Sequence, residues 1–215
     1  VVLSRGLGDV YKRQLLLVSL FSVSSFLTGN QKPNIVVFIS DDLGRWDTSI
    51  HGSKDARTPT MERLAAEGMT FNDAYVASPS CCPSRFSLLT GLMPARHGAH
   101  PNHSKVKTGT KFLPPILKKM GYHIASFGKI AHGNKKFEGL DFNEPKRTDM
   151  CVEVEKYFKN NKIEGPICLL VGDRRPHVEW TKRMNFDPKK VTLPSFFIDT
   201  KAVSYTHLRA HETTP

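Results

Sequence analysis

The sequence lacks an apolar run long enough to cross a bilayer, cysteines at metal-finger spacing, and a basic helix interleaved with aromatics. The apolar stretch from Leu15 to Leu27 falls short of the roughly 20 residues a spanning helix needs, which excludes a stable membrane span. Of the four cysteines, Cys81 and Cys82 are adjacent while Cys151 and Cys168 stand alone. That pattern excludes structural zinc and assigns no disulfide. Acidic residues are the scarcer charge, 20 against 31 Lys and Arg, giving a formal net charge of +11. Such an excess suits an anionic partner: sulfated glycan, nucleic acid or membrane surface. The basic residues are scattered through apolar segments, so nucleic acid is not expected.

What is present reads as globular. With 215 residues, 39% apolar and 24% charged, the chain suffices for one sizeable domain. Residues 1–14 match nothing that follows and look like translated adapter readthrough, as does the tail 202–215; both are set aside as non-native ends. His207 and His211 therefore drop out as ligands despite their helical spacing. Residues 15–30 read as the remnant of a signal peptide, so the expected location is exported: secreted, periplasmic or lysosomal. Residues 31–201 carry the domain.

Asn34 to Ser40 is a continuous, β-branched apolar run, predicting a strand buried on both faces of a parallel sheet. It delivers Asp41 and Asp42 at the carboxyl end, where open α/β sheets place ligands. Adjacent carboxylates repel unless a cation or hydrogen-bond donors compensate; a turn or capping role is the plainer alternative. Thr58-Pro59 to Gly68 predicts a helix packed on the sheet through Met61, Leu64 and Ala65. Met69 to Val76 reads as a strand, Thr110 to Met120 as a helix, and His123 to Gly128 as a strand. Glu138 to Thr148 reads as a loop, Asp149 to Asn160 as a helix and Ile167 to Gly172 as a third buried strand. Arg96-His97-Gly98 reads as structural. His100 and His103 fall in a polar loop read as solvated, with a place at the substrate mouth as the alternative, and Arg174 and Arg175 read equally as solvated loop charge or as contacts for an acidic substrate.

Between these elements lies Pro79-Ser80-Cys81-Cys82-Pro83-Ser84-Arg85-Phe86-Ser87-Leu88-Leu89-Thr90-Gly91. Pro83 suits a first helical turn and Gly91 a helix end, which puts Cys81 at a helix N-terminus. Unpaired backbone N–H groups there favour an anion, and Arg85 adds a forked donor for sulfate or phosphate oxygens.

This string resembles the Cys-x-Pro-Ser-Arg and Leu-Thr-Gly signature of the formylglycine-dependent sulfatases, and the likeness runs from about Pro33 to Thr200. The resemblance implies an alkaline-phosphatase-like α/β sandwich, mostly parallel with helices on both faces, here truncated to its N-terminal part. It implies that a maturing enzyme, the formylglycine-generating type, oxidises Cys81 to formylglycine, whose hydrate attacks sulfur. Asp41, Asp42 and the modified Cys81 would hold one calcium ion. Arg85 would orient the nucleophile, and Lys129 would neutralise sulfate charge. His132, from Gly128-Lys129-Ile130-Ala131-His132, would accept a proton. His177, from Pro176-His177, would serve the leaving group or bind sulfate. The Gly-Lys-x-x-His spacing and the Pro-His element resemble those of iduronate- and heparan-type sulfatases, which implies a sulfated glycan or a sulfated small molecule as substrate.

One departure bears on activity. The family closes its metal site with an Asp, an Asn, Gln or His, and a second Lys from a downstream segment, and nothing after Thr200 matches them. The fragment alone is therefore expected to be weakly active or inactive. Two rivals stand beside the sulfatase reading: a phosphonate or phosphodiester hydrolase of the same superfamily, and a non-catalytic protein that binds sulfated glycans.

Overall fold

The computed structural model describes residues 32–132, 138–145, 149–177, 187–193, 195–198, 200, 201 and 203. The expected leader, the signal segment 15–30 and the tail, apart from Val203, lie outside them. The chain divides into Val1–Asn34 and Ile35–Pro215. In the first unit the described residues 32–34 have no regular structure; every element below belongs to the second.

Four parallel strands form one sheet in the order β1-β4-β2-β3: β1 (Ile35–Asp41), β2 (His123–Gly128), β3 (Phe142–Glu144) and β4 (Ile167–Pro176). The β-branched run of β1 and the apolar runs of β2 and β4 suit a pleated, covered surface. Five helices accompany the strands among the described residues: α1 (Pro59–Glu67), α2 (Cys81–Thr90), α3 (Pro94–His97), α4 (Leu113–Lys119) and α5 (Met150–Asn160).

Alternating strand residues feed two cores, as a side-chain period of two requires. On one face, Ile124, Cys168 and Leu170 pack with Cys82, Phe86 and Leu89 of α2 and Leu117 of α4. On the other, Ala125, Phe127, Leu169 and Val171 pack with Met150 and Tyr157 of α5. Phe127 and Ile124 are fully enclosed, and each contributes about 2 kcal/mol of hydrophobic stabilisation. Helices thus cover both faces of a parallel sheet.

The structure corrects five expectations, the first being that Arg174 and Arg175, read as loop residues, belong to the last residues of β4. β1 is covered on one face: Ile35, Val37 and Ile39 pack against the first core, whereas Val36 is 64% and Phe38 49% exposed. The α5 side of the sheet is covered over β2 and β4 but not out to β1. Residues 69–76 form no strand. Met69, Phe71, Tyr75 and Val76 stand in solvent, and a strand without a partner leaves its backbone groups unpaired. α1 buries none of its residues and lies beside the 3-10 turn Ser49–His51, with Leu64 exposed. Its Thr58 hydroxyl pairs with Ser49 Oγ at 2.6 Å instead of capping the helix. The expected loop 138–148 contains β3, which aligns Phe142 with Ala125.

Candidate active site

Three strand ends and one helix start converge at the carboxyl edge of the sheet. β1 ends at Asp41, whose side chain is 2% exposed, and Asp42 turns away with φ of +67°. At this point the β1–β4 register breaks: Ser40 aligns with Asp173, but Asp41 aligns with Pro176. Such a bulge re-aims the residues after it. It brings His177 Nε2 to 3.7 Å from Asp42 Oδ2. Asp173 holds the bulge, accepting from the backbone N–H of Arg175 at 2.8 Å and from its guanidinium at 2.6 Å.

β2 ends at Gly128, and Lys129 follows with its N–H donated to Gly172 O at 2.9 Å. Two glycines permit this approach. A Cβ on Gly172 would overlap the Lys129 carbonyl, and one on Gly128, at φ +66°, would overlap the Gly172 carbonyl. With both absent, the Lys129 ammonium reaches Asp41 Oδ2 at 2.5 Å.

α2 begins where its sequence predicts, with Gly91 closing it at φ +68° by an N–H bond to Ser87 O. Its N-terminal side gains an outside cap, because Asn102 Oδ1 accepts from Cys82 N–H at 3.2 Å. Cys81 Sγ lies 3.7 Å from Asp41 Oδ1 and 3.9 Å from Asp42 Oδ1. Arg85, one turn on and 5% exposed, places Nη2 2.9 Å from Asp41 Oδ1 and donates Nη1 to the Lys129 carbonyl.

Asp41 is therefore the hub. Burial pushes its carboxyl up, but the Lys129 hydrogen bond and the charges of Arg85 and Lys129 outweigh burial and hold it below the usual carboxylate range. Removing either cation would leave a buried charge underpaired. An Asp41 oxygen, Cys81 Sγ and a His177 ring nitrogen all lie within 4.8 Å of one another. Asp41 and Asp42 are hard oxygen donors suited to calcium or magnesium, whereas a thiol is a soft donor that suits neither. The donor set fits a hard cation if residue 81 presents oxygen in place of sulfur.

Of the residues singled out by sequence, Asp41, Asp42, Cys81, Arg85, Lys129 and His177 meet here. His132 lies close enough for its ring to feel Arg85, Lys129 and Asp41. Burial, followed by electrostatic interactions with His103, Lys129 and Arg85, lowers its proton affinity, with Asp41 opposing. Its direct partner is His103, Nε2 to Nδ1 at 2.6 Å. The sequence places His103 in a solvated loop and gives Asn102 no role; no periodicity marks either residue, and only the Pro101-Asn102 turn signal points to them. His97 is fully buried and satisfied by Ser87 Oγ and the Ala99 N–H, a structural residue as expected. All four cysteines are free thiols.

A family model described as Sulfatase matches residues 33–187. The chain is 28% identical over 202 residues to an ulvan-active sulfatase of Formosa agariphila, covering 86% of this chain and 40% of that protein. It is 40% identical over 119 residues to an N-acetylgalactosamine-6-O-sulfatase of Bacteroides thetaiotaomicron, covering 53% and 23%. Among solved structures it resembles one determined in complex with its substrate D-glucosamine-2-N,6-O-disulfate. That match has a TM-score of 0.63 at 25% identity, over 70% of this chain and 36% of the other. The chain thus spans less than half the length of these relatives. Its parallel sheet, covered by helices on both faces, is the N-terminal part of the alkaline-phosphatase-like fold these structures share. With the signature at Cys81 seated on Asp41 and the family match spanning both, the chain belongs to the sulfatase family.

Proposed function

We propose that the protein hydrolyses sulfate esters of glycans, with residue 81 as the attacking group after oxidation to formylglycine. The observation that carries this reading is the position of Cys81 Sγ, 3.7 Å from a buried carboxylate that also receives Arg85 and Lys129. The aldehyde of a formylglycine, once hydrated, supplies a hydroxyl nucleophile that a thiol does not. A calcium ion held by Asp41, Asp42 and that oxygen would supply Lewis acidity.

The charges of this chain divide the remaining work. Asp41 and Asp42 offset Arg85 and Lys129, so these four groups sum to zero; a divalent cation leaves the site net positive and matched to an anionic ester. Lys129 carries its ammonium to the Asp41 oxygen, at the edge where a sulfuryl oxygen would sit, and neutralises charge there. Arg85 locks Asp41 and the Lys129 carbonyl into one frame and so fixes where residue 81 stands. His132, its proton affinity lowered by burial and by the charges around it, accepts the proton of the hydrate's remaining hydroxyl as sulfate is expelled. His177, beside Asp42, serves the leaving oxygen.

Calcium takes roughly six to eight oxygen ligands, and Asp41 and Asp42 with an oxygen on residue 81 supply part of that shell. Residues 1–215 by themselves therefore bind calcium weakly and turn over slowly. A maturing enzyme acts on the Cys81 signature, and the segment 15–30 directs export. Sulfate release from sulfated glycosaminoglycan and ulvan, compared with hydrolysis of a matched aryl phosphodiester, tests the reading. Calcium-dependent sulfate release abolished by EDTA supports it. Faster phosphodiester cleavage, or glycan binding with no sulfate released by aldehyde-bearing protein shown to hold calcium, overturns it.

A further inference from the structure

His132 and His103 come from segments 29 residues apart in sequence, yet their rings meet edge to face at 4.2 Å, with Nε2 of His132 2.6 Å from Nδ1 of His103. Two bare lone pairs would repel at that distance, so one proton occupies the contact. The other nitrogen of His132, Nδ1, is buried and has no hydrogen-bond partner among the described residues.

These facts choose between two tautomers. A shared proton on His103 would leave the proton of neutral His132 on its Nδ1, a buried donor with nothing to donate to. Orphaned buried N–H groups are the rarest kind of unsatisfied polar group. A shared proton on His132 Nε2 leaves Nδ1 as a bare lone pair. Burial and the charges of Lys129 and Arg85 oppose a second proton on His132, and the charge of Asp41 favours one.

The loop bearing His103 is built into the site. Asn102 Oδ1 accepts from both the Cys82 and the His103 N–H at 3.2 Å. Cys82 Sγ lies 3.4 Å from Ser104 O, and Ser104 Oγ donates to Pro101 O at 2.6 Å. His103 adopts φ +63°, the left-handed region that few residues besides glycine, asparagine, aspartate and histidine enter. The start of the nucleophile helix and His103 thus share one anchor, while the His103 ring remains exposed to solvent.

We propose that His103 is the outer half of a two-imidazole relay: it fixes Nδ1 of His132 as the basic nitrogen and carries the Nε2 proton of His132 to solvent. A proton taken up at His132 Nδ1 makes an imidazolium. As the Nε2–H bond of His132 breaks, an N–H bond forms at His103 Nδ1, and His103 releases its own Nε2 proton to water. The starting tautomers return when water protonates His103 Nε2, the His103 Nδ1 proton passes back to His132 Nε2, and His132 Nδ1–H gives its proton to water in the site. The geometry stands alone; only its use in turnover rests on the sulfate-ester reading.

Two variants separate position from proton transfer. His103→Asn tolerates the positive φ and offers an amide oxygen to His132 Nε2–H, but cannot pass the proton on. His103→Gly tolerates the same φ and offers nothing. Nitrogen-15 NMR of the full chain at neutral pH should show His132 protonated on Nε2 and bare on Nδ1 in the wild type and in His103→Asn, with that preference lost in His103→Gly. In aldehyde-bearing protein with calcium, His103→Asn should lower kcat about tenfold in dilute buffer, a fraction of what a whole general base contributes. KM should be unchanged, and added imidazole should restore the rate. A His132 protonated on Nδ1 overturns the tautomer assignment. A kcat equal to wild type in dilute buffer, or a loss that imidazole does not repair, overturns the relay. Wild-type protein that carries the aldehyde and bound calcium yet turns over no sulfate ester removes the sulfatase reading instead, and the NMR still decides the tautomer.

Discussion

At the scale of single residues, electrostatics at the sheet edge fixes the arrangement. Asp41 gathers Arg85 and Lys129 although the three are far apart in sequence. Asp173 does similar work for the bulge that presents His177. Burial raises its carboxyl, but the hydrogen bonds from the Arg175 side chain and backbone outweigh burial, and its proton affinity is net lowered. A carboxyl depressed in the folded state adds stability above its unfolded value, about pH 4, and that stability is lost as pH falls through the lower folded value. Asp173→Asn should therefore be less stable than wild type at neutral pH, with the gap narrowing below about pH 4. Urea midpoints measured across that range check this; parallel curves would remove the ion pair from the account. The residues legible in the sequence are those inside short strings: Cys81 and Arg85 within one helix turn, Asp41 and Asp42 at the end of an apolar run. The sequence offers His103 as a loop residue that could face the substrate, but its pairing with His132, 29 residues away, is encoded by no local pattern.

At the scale of elements, the sequence announced the pieces with strong local chemistry. Pro59 starts α1, Gly91 ends α2, and Asp149 caps α5 by accepting from Cys151 N–H. Elements that depend on a distant neighbour carry no such local signal. Phe142–Glu144 becomes a strand because β2 offers an edge, and residues 69–76 carry strand-forming side chains but meet no sheet. The strand ends hold a requirement of their own, since Gly128 and Gly172 let β2 and β4 close on Lys129. Gly172→Ala would force the Lys129 carbonyl away, at a cost of about 1–3 kcal/mol for overpacking. Thermal unfolding should register that loss, together with reduced sulfate release as Lys129 leaves Asp41. An alanine variant with wild-type stability and activity would show that the close crossing is dispensable.

At the scale of the whole molecule, the fold class was legible from alternating apolar runs and helical segments, but the cover on each face was not. A run such as Ile35 to Ile39 looks the same whether one or both of its faces are buried, so the exposure of Val36 and Phe38 could be learned only from the position of α5. Because those two side chains contribute little packing, Val36→Thr with Phe38→Thr should change stability by no more than about 1 kcal/mol while reducing self-association. Size-exclusion profiles at rising concentration and a denaturation curve check both halves; a large loss of stability would mean that this face is covered in solution.

The account as a whole stands on residue 81. Peptide mass spectrometry of the protein matured in an exporting host reads that position directly. It should find an aldehyde at residue 81 beside an unmodified Cys82, with sulfate release rising in proportion to the aldehyde fraction. Sulfate-ester hydrolysis by protein in which residue 81 is recovered only as cysteine would contradict it.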